Sequence, residues 1–257
     1  MPISSVRPAW LAGCALVTLA ALGASRAWAD TVTVAVAANF SAPMQEIATA
    51  FAQDTGHRAE LAFGATGKFY AQIVHGAPFG VLLAADEQTP QKIAAAGLGL
   101  ESSRFTYAIG QLVLWSPQPG YVDAHGDVLK TGPWTHLAIA NPKLAPYGAA
   151  ALQTLDQLGL TASVLPRVVQ GENIGQTYQF VASGNAQLGL VALAQVMQQG
   201  KIAHGSAWVV PAALHAPLRQ DAILLKGAQH NPAAQALLDY LRGARARAIM
   251  QAYGYTF

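Results

Sequence analysis

At 257 residues, 53% of them hydrophobic and only 11% charged, with a formal net charge of +2, the chain is long enough for one compact α/β unit or two small lobes. Arg7 and Arg26 both lie in the first 29 residues, so residues 30–257 carry 13 basic against 13 acidic residues. That neutral balance excludes nucleic acid and anionic membrane as partners, because both need a basic patch.

Residues 1–29 read as a signal peptide. Arg7 supplies the positive start, 10–24 is an apolar run too short to span a bilayer comfortably, and Ala27-Trp28-Ala29 is an A-x-A cleavage site. The mature chain is then expected to begin at Asp30, in the periplasm. A lipoprotein-like Leu11-Ala12-Gly13-Cys14 is also present, but most of the apolar run follows this cysteine, where a lipobox should close it. Cys14 is the one cysteine, so the mature chain has no disulfide and must be held by its core. No later stretch is long and apolar enough to be a transmembrane helix.

The segment 32–51 organises the rest of the chain. Residues 32–37 alternate small apolar and β-branched types, which suits a strand buried on both faces of a parallel sheet. Then the period changes: Met44, Ile47, Ala48 and Phe51 recur at helical spacing, with Ser41 as the expected N-cap and Pro43 inside the first turn. At the junction Ala38 and Asn39 stand beyond the carboxyl end of a strand and at the positive end of a helix, where open α/β sheets bind anions. Residues 58–63 form a second expected strand, followed by the turn Gly64-Ala65-Thr66-Gly67 and a helix carrying Phe69, Ile73 and Val74. A third strand is expected over 80–85, with a helix opening at Asp86 and stopping at Gly97. The first third is therefore (βα)₃ with right-handed parallel crossovers.

Residues 104–115 read as a long strand crossing between two lobes, with Gly110 near the bend. Residues 122–131 carry glycine and charge without periodicity and read as a surface loop. From Leu137 the alternation restarts: strands over 137–140, 167–170 and 188–192, with helices over 149–158 and 176–183 between them. A short strand over 207–210 and a second crossing over 218–225 lead to Asn231-Pro232, an N-cap and N1 pair, and to two closing helices. Two βα lobes joined by two crossings make a hinged architecture. The lobes are expected to comprise 30–108 with 219–257, and 109–218.

Three strand-to-helix turns offer free helical N–H groups beside small or hydroxylated side chains: Ala38-Asn39, Ala65-Thr66-Gly67, and the pair Pro146-Tyr147-Gly148 with Glu172-Asn173-Ile174-Gly175. Together they suit an oxyanion. The plainer reading is that Asn39, Thr66 and Asn173 are ordinary helix caps. Catalytic alternatives do poorly. The segment 64–69 ends like a Walker A loop, yet Ala62 stands where its first glycine belongs and Phe69 where it needs serine or threonine. Ser183 lacks the G-x-S-x-G elbow, and the seven histidines show no metal-ligand spacing.

The segments V-A-V-A-A-N-F at the start, G-A-T-G-K-F-Y-A-Q-I at 64–73, G-A-P-F-G-V-L-L-A-A-D-E at 76–87, A-I-A-N-P-K-L-A-P-Y-G at 138–148 and G-E-N-I-G-Q at 171–176 carry a resemblance over nearly all of 30–257. In these, the chain resembles the periplasmic molybdate-binding proteins of ABC importers. It implies an α/β, two-lobed type II periplasmic binding protein fold, each lobe a mostly parallel sheet flanked by helices, with two hinge crossings. It also implies a non-enzymatic receptor that holds molybdate or tungstate in the interlobe cleft and delivers it to an inner-membrane permease. Carried over by position, the donors are Ala38, Asn39, Thr66, Tyr147 and Ile174. Ala38, Tyr147 and Ile174 would act through backbone N–H, while Asn39 and Thr66 could add side-chain bonds. No cofactor and no metal cation are expected, and the chain is expected to be a monomer. It departs from the commonest family pattern at Ala192, where many members place a tyrosine hydroxyl on the anion, and Lys68 is expected to be solvated. The alternatives are a receptor for sulfate or another tetrahedral oxyanion, and a secreted phosphate-ester hydrolase, which lacks a visible nucleophile or metal set. An effector domain of a regulator conflicts with the leader.

Overall fold

The computed structural model describes residues 1–2 and 30–257, so the expected leader, its first two residues apart, lies outside the described residues. The chain opens with β1 (Thr31–Ala37), a 3₁₀ turn (Ala38–Phe40), α1 (Ser41–Thr55), β2 (Arg58–Gly64), α2 (Thr66–Val74), β3 (Val81–Leu83) and α3 (Gln88–Ala95). Next come β4 (Phe105–Gly110), β5 (Leu112–Ser116), α4 (Val128–Thr131), β6 (Leu137–Ala140), α5 (Pro146–Gln157), α6 (Thr161–Val164), β7 (Val168–Gly171) and α7 (Ile174–Ala182). It ends with β8 (Leu188–Ala192), α8 (Leu193–Val196), β9 (Met197–Gln198), β10 (Lys201–Ile202), β11 (Ser206–Val209), β12 (Leu218–Leu224), α9 (Pro232–Arg242) and α10 (Ala244–Ala252).

Two five-stranded sheets result. The first runs β2-β1-β3-β12-β4, with β1 parallel to β2 and β3 and with β12 antiparallel to β3 and β4. The second runs β11-β5-β8-β6-β7, with β6 parallel to β7 and β8 and with β5 antiparallel to β8 and β11. The architecture is the expected two-lobed α/β fold. The chain leaves the first sheet after Gly110, enters the second at Leu112, and re-enters the first at Leu218.

The period-2 pattern of β1 explains the layers. Val32, Val34 and Val36 face a core with Phe40, Met44, Ile47 and Phe51 of the first helical segment and Leu237 and Leu241 of α9. Ala35, on the opposite face, packs with Phe69 and Ile73 of α2 and Ile93 of α3. Complete burial of Met44, Ile47 and Phe51 contributes about 1.5–3 kcal/mol each. The second sheet divides the same way: Leu112 and Leu114 join α5 through Leu155, whereas Val113 and Trp115 join α7 through Val181.

Two local expectations are corrected. Ser41 is not the N-cap of α1: the intervening 3₁₀ turn shifts the cap to Phe40, and the Ser41 hydroxyl instead donates to the Ala38 carbonyl at 2.8 Å. The stretch 122–131 is not a plain surface loop. Asp123 draws it into shape by accepting three backbone N–H bonds, from His125, Asp127 and Val128, and Val122 and Leu129 insert into the second core. Asn231 caps α9 as expected, its side chain accepting from Ala233 N–H at 2.9 Å with Pro232 at the first helical position.

Candidate functional site

All five candidate residues lie around one small, tightly closed cavity between the sheets. Strand ends deliver them. The register of β1 with β2 runs out at Ala37 opposite Gly64, so the turns bearing Ala38 and Asn39, and Ala65 and Thr66, emerge side by side. From the second sheet come the first turn of α5, with Pro146 and Tyr147, and that of α7, with Asn173 and Ile174.

The backbone is what these turns share. Among the described residues, the N–H groups of Asn39, Thr66, Tyr147 and Ile174 donate to no protein acceptor, as expected for helix first turns, whose amides lack intrahelical partners. Four such donors from four turns, together with the positive ends of α1, α2, α5 and α7, set a positive potential over the cavity without any cation. Among the described residues that line it there is no lysine, arginine, aspartate or glutamate.

The side chains divide. Thr66 Oγ1 accepts from Ala85 N–H at 3.0 Å and, among the described residues, donates to no protein group, which leaves its proton for a ligand. Asn39 differs from expectation. Both hydrogens of its buried amide are spent, on Gln220 Oε1 at 2.9 Å and on the Tyr255 hydroxyl at 3.0 Å, so its backbone N–H is what it offers the cavity. The plain capping reading holds for Asn173 alone, which accepts from Gln176 N–H at 3.0 Å; no side-chain cap bond forms at Asn39 or Thr66.

Around the cavity lies a set of positioning groups that sequence reasoning passed over. The Tyr255 hydroxyl donates to the Asn39 carbonyl at 2.9 Å, and the Phe40 ring sits 4.8 Å from Tyr107 and 5.3 Å from Tyr255. Burial pushes the Tyr107, Tyr147 and Tyr255 phenols up, which keeps all three protonated at neutral pH. Gln195 Oε1 accepts from Ala192 N–H, and its Nε2 donates to the Ile174 carbonyl, both at 3.0 Å. Ala192 itself ends β8 fully buried and has no side-chain donor. One signal was visible beforehand: Gln220-Asp221 interrupts the otherwise apolar end of L-R-Q-D-A-I-L, and a buried polar side chain in a central strand demands partners.

The two sheets also meet beside the cavity. Gly67 N–H donates to the Leu144 carbonyl at 2.9 Å, and Lys68, which was expected to be solvated, reaches Glu172 at 2.6 Å while staying half exposed.

A family model for bacterial extracellular solute-binding proteins matches residues 32–256, spanning both sheets and all four turns at the cavity. The chain belongs to that family. Within this solute-binding family, the chain is similar to the molybdate-binding protein ModA of Azotobacter vinelandii, with 56% identity over 236 residues, 92% of this chain and 94% of the relative. It is also similar to the molybdate-binding protein ModA of Rhodobacter capsulatus, with 48% identity over 227 residues and 88% of each chain covered. Among solved structures, the periplasmic molybdate-binding protein of Azotobacter vinelandii superposes with a TM-score of 0.85 at 43% identity, covering 88% of this chain and 99% of that one.

Proposed function

We propose that this solute-binding protein captures molybdate or tungstate in the interlobe cavity and delivers it to the inner-membrane permease of an ABC importer. One observation carries the reading: a small cavity that, among the described residues, is ringed by unpaired first-turn N–H groups from both lobes and free of charged side chains. The names of the relatives, both molybdate-binding proteins, support the same ligand.

The donors would be Ala38, Asn39, Thr66, Tyr147 and Ile174, with Thr66 adding its hydroxyl. Hydrogen bonds to a charged group contribute about 1.5–3 kcal/mol each, so five or six reach the roughly −12 kcal/mol of a nanomolar complex after binding costs. The cavity also suits an ion that only accepts. Hydrogen phosphate carries a proton that needs an acceptor, and no carboxylate lines the site. The protein binds and releases without bond breaking. The hydroxyls of Thr66 and Tyr147 lie against the Ala85 N–H and the Gln220 amide, neither of which is a base able to activate them. We place the lobes at 30–108 with 219–257 and at 109–218, and read the mature chain as a periplasmic monomer released from its signal peptide.

Calorimetric titration of the dialysed mature chain with molybdate, tungstate, sulfate and phosphate tests the reading. Binding of the first two alone is expected; sulfate binding without molybdate binding would overturn it.

Thr66→Val is expected to weaken molybdate binding by about 10- to 150-fold, the worth of one charge-assisted bond, whereas Thr66→Ser stays within about fivefold of the parent. Equal affinities in valine and serine variants would remove the hydroxyl from the site. Lys68→Met is expected to change affinity by no more than about fivefold, because an exposed ion pair contributes about 0–1 kcal/mol. A larger loss, measured at two salt concentrations, would show that the lysine's field reaches the ligand.

A further inference from the structure

We propose that Gln220 is a positioning residue that ties the anion turn of one lobe to the anion turn of the other. This deepens the proposed oxyanion function and rests on it.

Gln220 lies on β12, the strand by which the chain returns to the first sheet, at a register irregularity between Gln220 and Asp221. It is completely buried. Its Oε1 accepts from Asn39 Nδ2 at 2.9 Å and from the Tyr107 hydroxyl at 2.9 Å, while its Nε2 donates to the Tyr147 hydroxyl at 3.1 Å. Asn39 belongs to the 3₁₀ turn after β1, and Tyr147 to the first turn of α5 on the second sheet. One primary amide therefore spans the two turns whose backbone N–H groups face the cavity. A primary amide accepts at one end and donates at the other while staying neutral.

The backbone makes room for this bridge. A Cβ on Gly110 would lie 2.0 Å from the Tyr147 hydroxyl and 2.4 Å from Gln220 Nε2, so glycine at the outgoing crossing leaves the space in which the two side chains meet. Both crossings thus contribute to one contact, Gly110 from β4 and Gln220 from β12. Asn39 and Tyr147 each have a backbone N–H on the cavity and a side chain on this amide. Gln220 accordingly sets the spacing of those two donors when the lobes are closed, without touching the ligand itself.

A double-mutant cycle of Gln220→Met with Tyr147→Phe tests this, because each variant keeps the side-chain volume and the backbone donors while breaking the same bridge. Molybdate affinity, its association and dissociation rates, and unfolding without ligand are measured for all four proteins. Each single variant is expected to bind about tenfold or more weakly, through faster dissociation with association within about twofold. The double variant is expected to be no more than about twofold worse than the weaker single. Losses that multiply to about a hundredfold in the double variant, or single variants of near-parental affinity, overturn the proposal. If Gln220→Met fails to fold, Tyr147→Phe decides alone, since phenylalanine fills the same space without the hydroxyl: parental dissociation kinetics refute the bridge. A parent that binds no molybdate overturns the oxyanion reading instead, and the same cycle run with whichever of tungstate, sulfate or phosphate it does bind then decides the bridge, which losses that multiply in the double variant refute.

Discussion

Gly67→Val is expected to lose between about thirtyfold and a thousandfold in molybdate affinity while the ligand-free protein unfolds within about 2 °C of the parent. Gly67 stands in the first turn of α2, where its N–H donates to the Leu144 carbonyl across the lobes at 2.9 Å. A Cβ there would meet the Leu144 Cα and carbonyl oxygen at 3.1 Å and the side chain at 3.4 Å. Alanine asks Leu144 to give by a few tenths of an ångström; the two further methyl carbons of valine ask for more than a backbone can yield. Losing the bond costs about 1 kcal/mol and the overpacking about 1–3 kcal/mol, which together give the stated range. The clash exists only while the lobes touch, so in a hinged protein it acts on the liganded state. Unfolding without ligand is not penalised, since valine is at least as good a helix residue as glycine. Calorimetry and thermal melts on glycine, alanine and valine at this position decide the matter. Parental affinity in the valine variant would mean that binding does not need this approach of the lobes.

Gly148→Ala is expected to act on folding itself, lowering the unfolding midpoint by about 4–12 °C and affinity by at least about tenfold. Here the added Cβ would lie 2.2 Å from the Ala140 carbonyl oxygen and 2.7 Å from its carbon. Both belong to the backbone of β6, so neither can swing aside. The first turn of α5 must lift off the sheet, at a cost of about 2–3 kcal/mol, or about 2–4 °C per kcal/mol for a chain of this size. Tyr147 precedes Gly148, and its N–H moves with the turn. Thermal melts with and without molybdate separate the two effects. An unchanged midpoint would show that β6 and α5 can part at no cost.

The order of strands and helices was legible because the hydrophobic period changes from 2 to 3.6 at each junction, as between Val36 and Met44, and because Gly110 and Asn231-Pro232 punctuate the chain. That the Ala38 and Thr66 turns share one end of their sheet, and the Tyr147 and Ile174 turns one end of theirs, followed from the same alternation, since strands of one parallel sheet end on one side; that the two pairs face one anion was implied by the family resemblance. What could not be read was whatever depends on partners far along the chain. The Asn39 amide finds Gln220 and Tyr255, 181 and 216 residues away, and no local pattern announces that its donors are already taken. Lys68 meets Glu172 over a separation of 104 residues, an ion-pair partner that no local pattern announces. Between Val122 and Thr131 the burial of Leu129 is a tertiary event that the polar residues around it conceal. Ser41 misled for a smaller reason: a three-residue 3₁₀ turn moved the helix start without altering the pattern that suggests a cap.

The place of β12, between β3 and β4 in the first sheet, fixes an order of assembly. Residues 31–110 supply four of that sheet's strands, yet β3 and β4 have no edge in common until residues 218–224 slide between them. The Asn39 turn waits longer still, for Tyr255 in the final turn of the chain. Contacts of such long sequence separation form slowly, because the loop must close before the pairing rewards it. As the chain folds, the second sheet, whose strands all lie within 112–209, can complete itself while the first remains an open half. The lobe whose residues come first is thus the one that finishes last, and a chain stopped short of its C-terminal residues would carry every strand of both sheets but an unfastened first turn at the cavity.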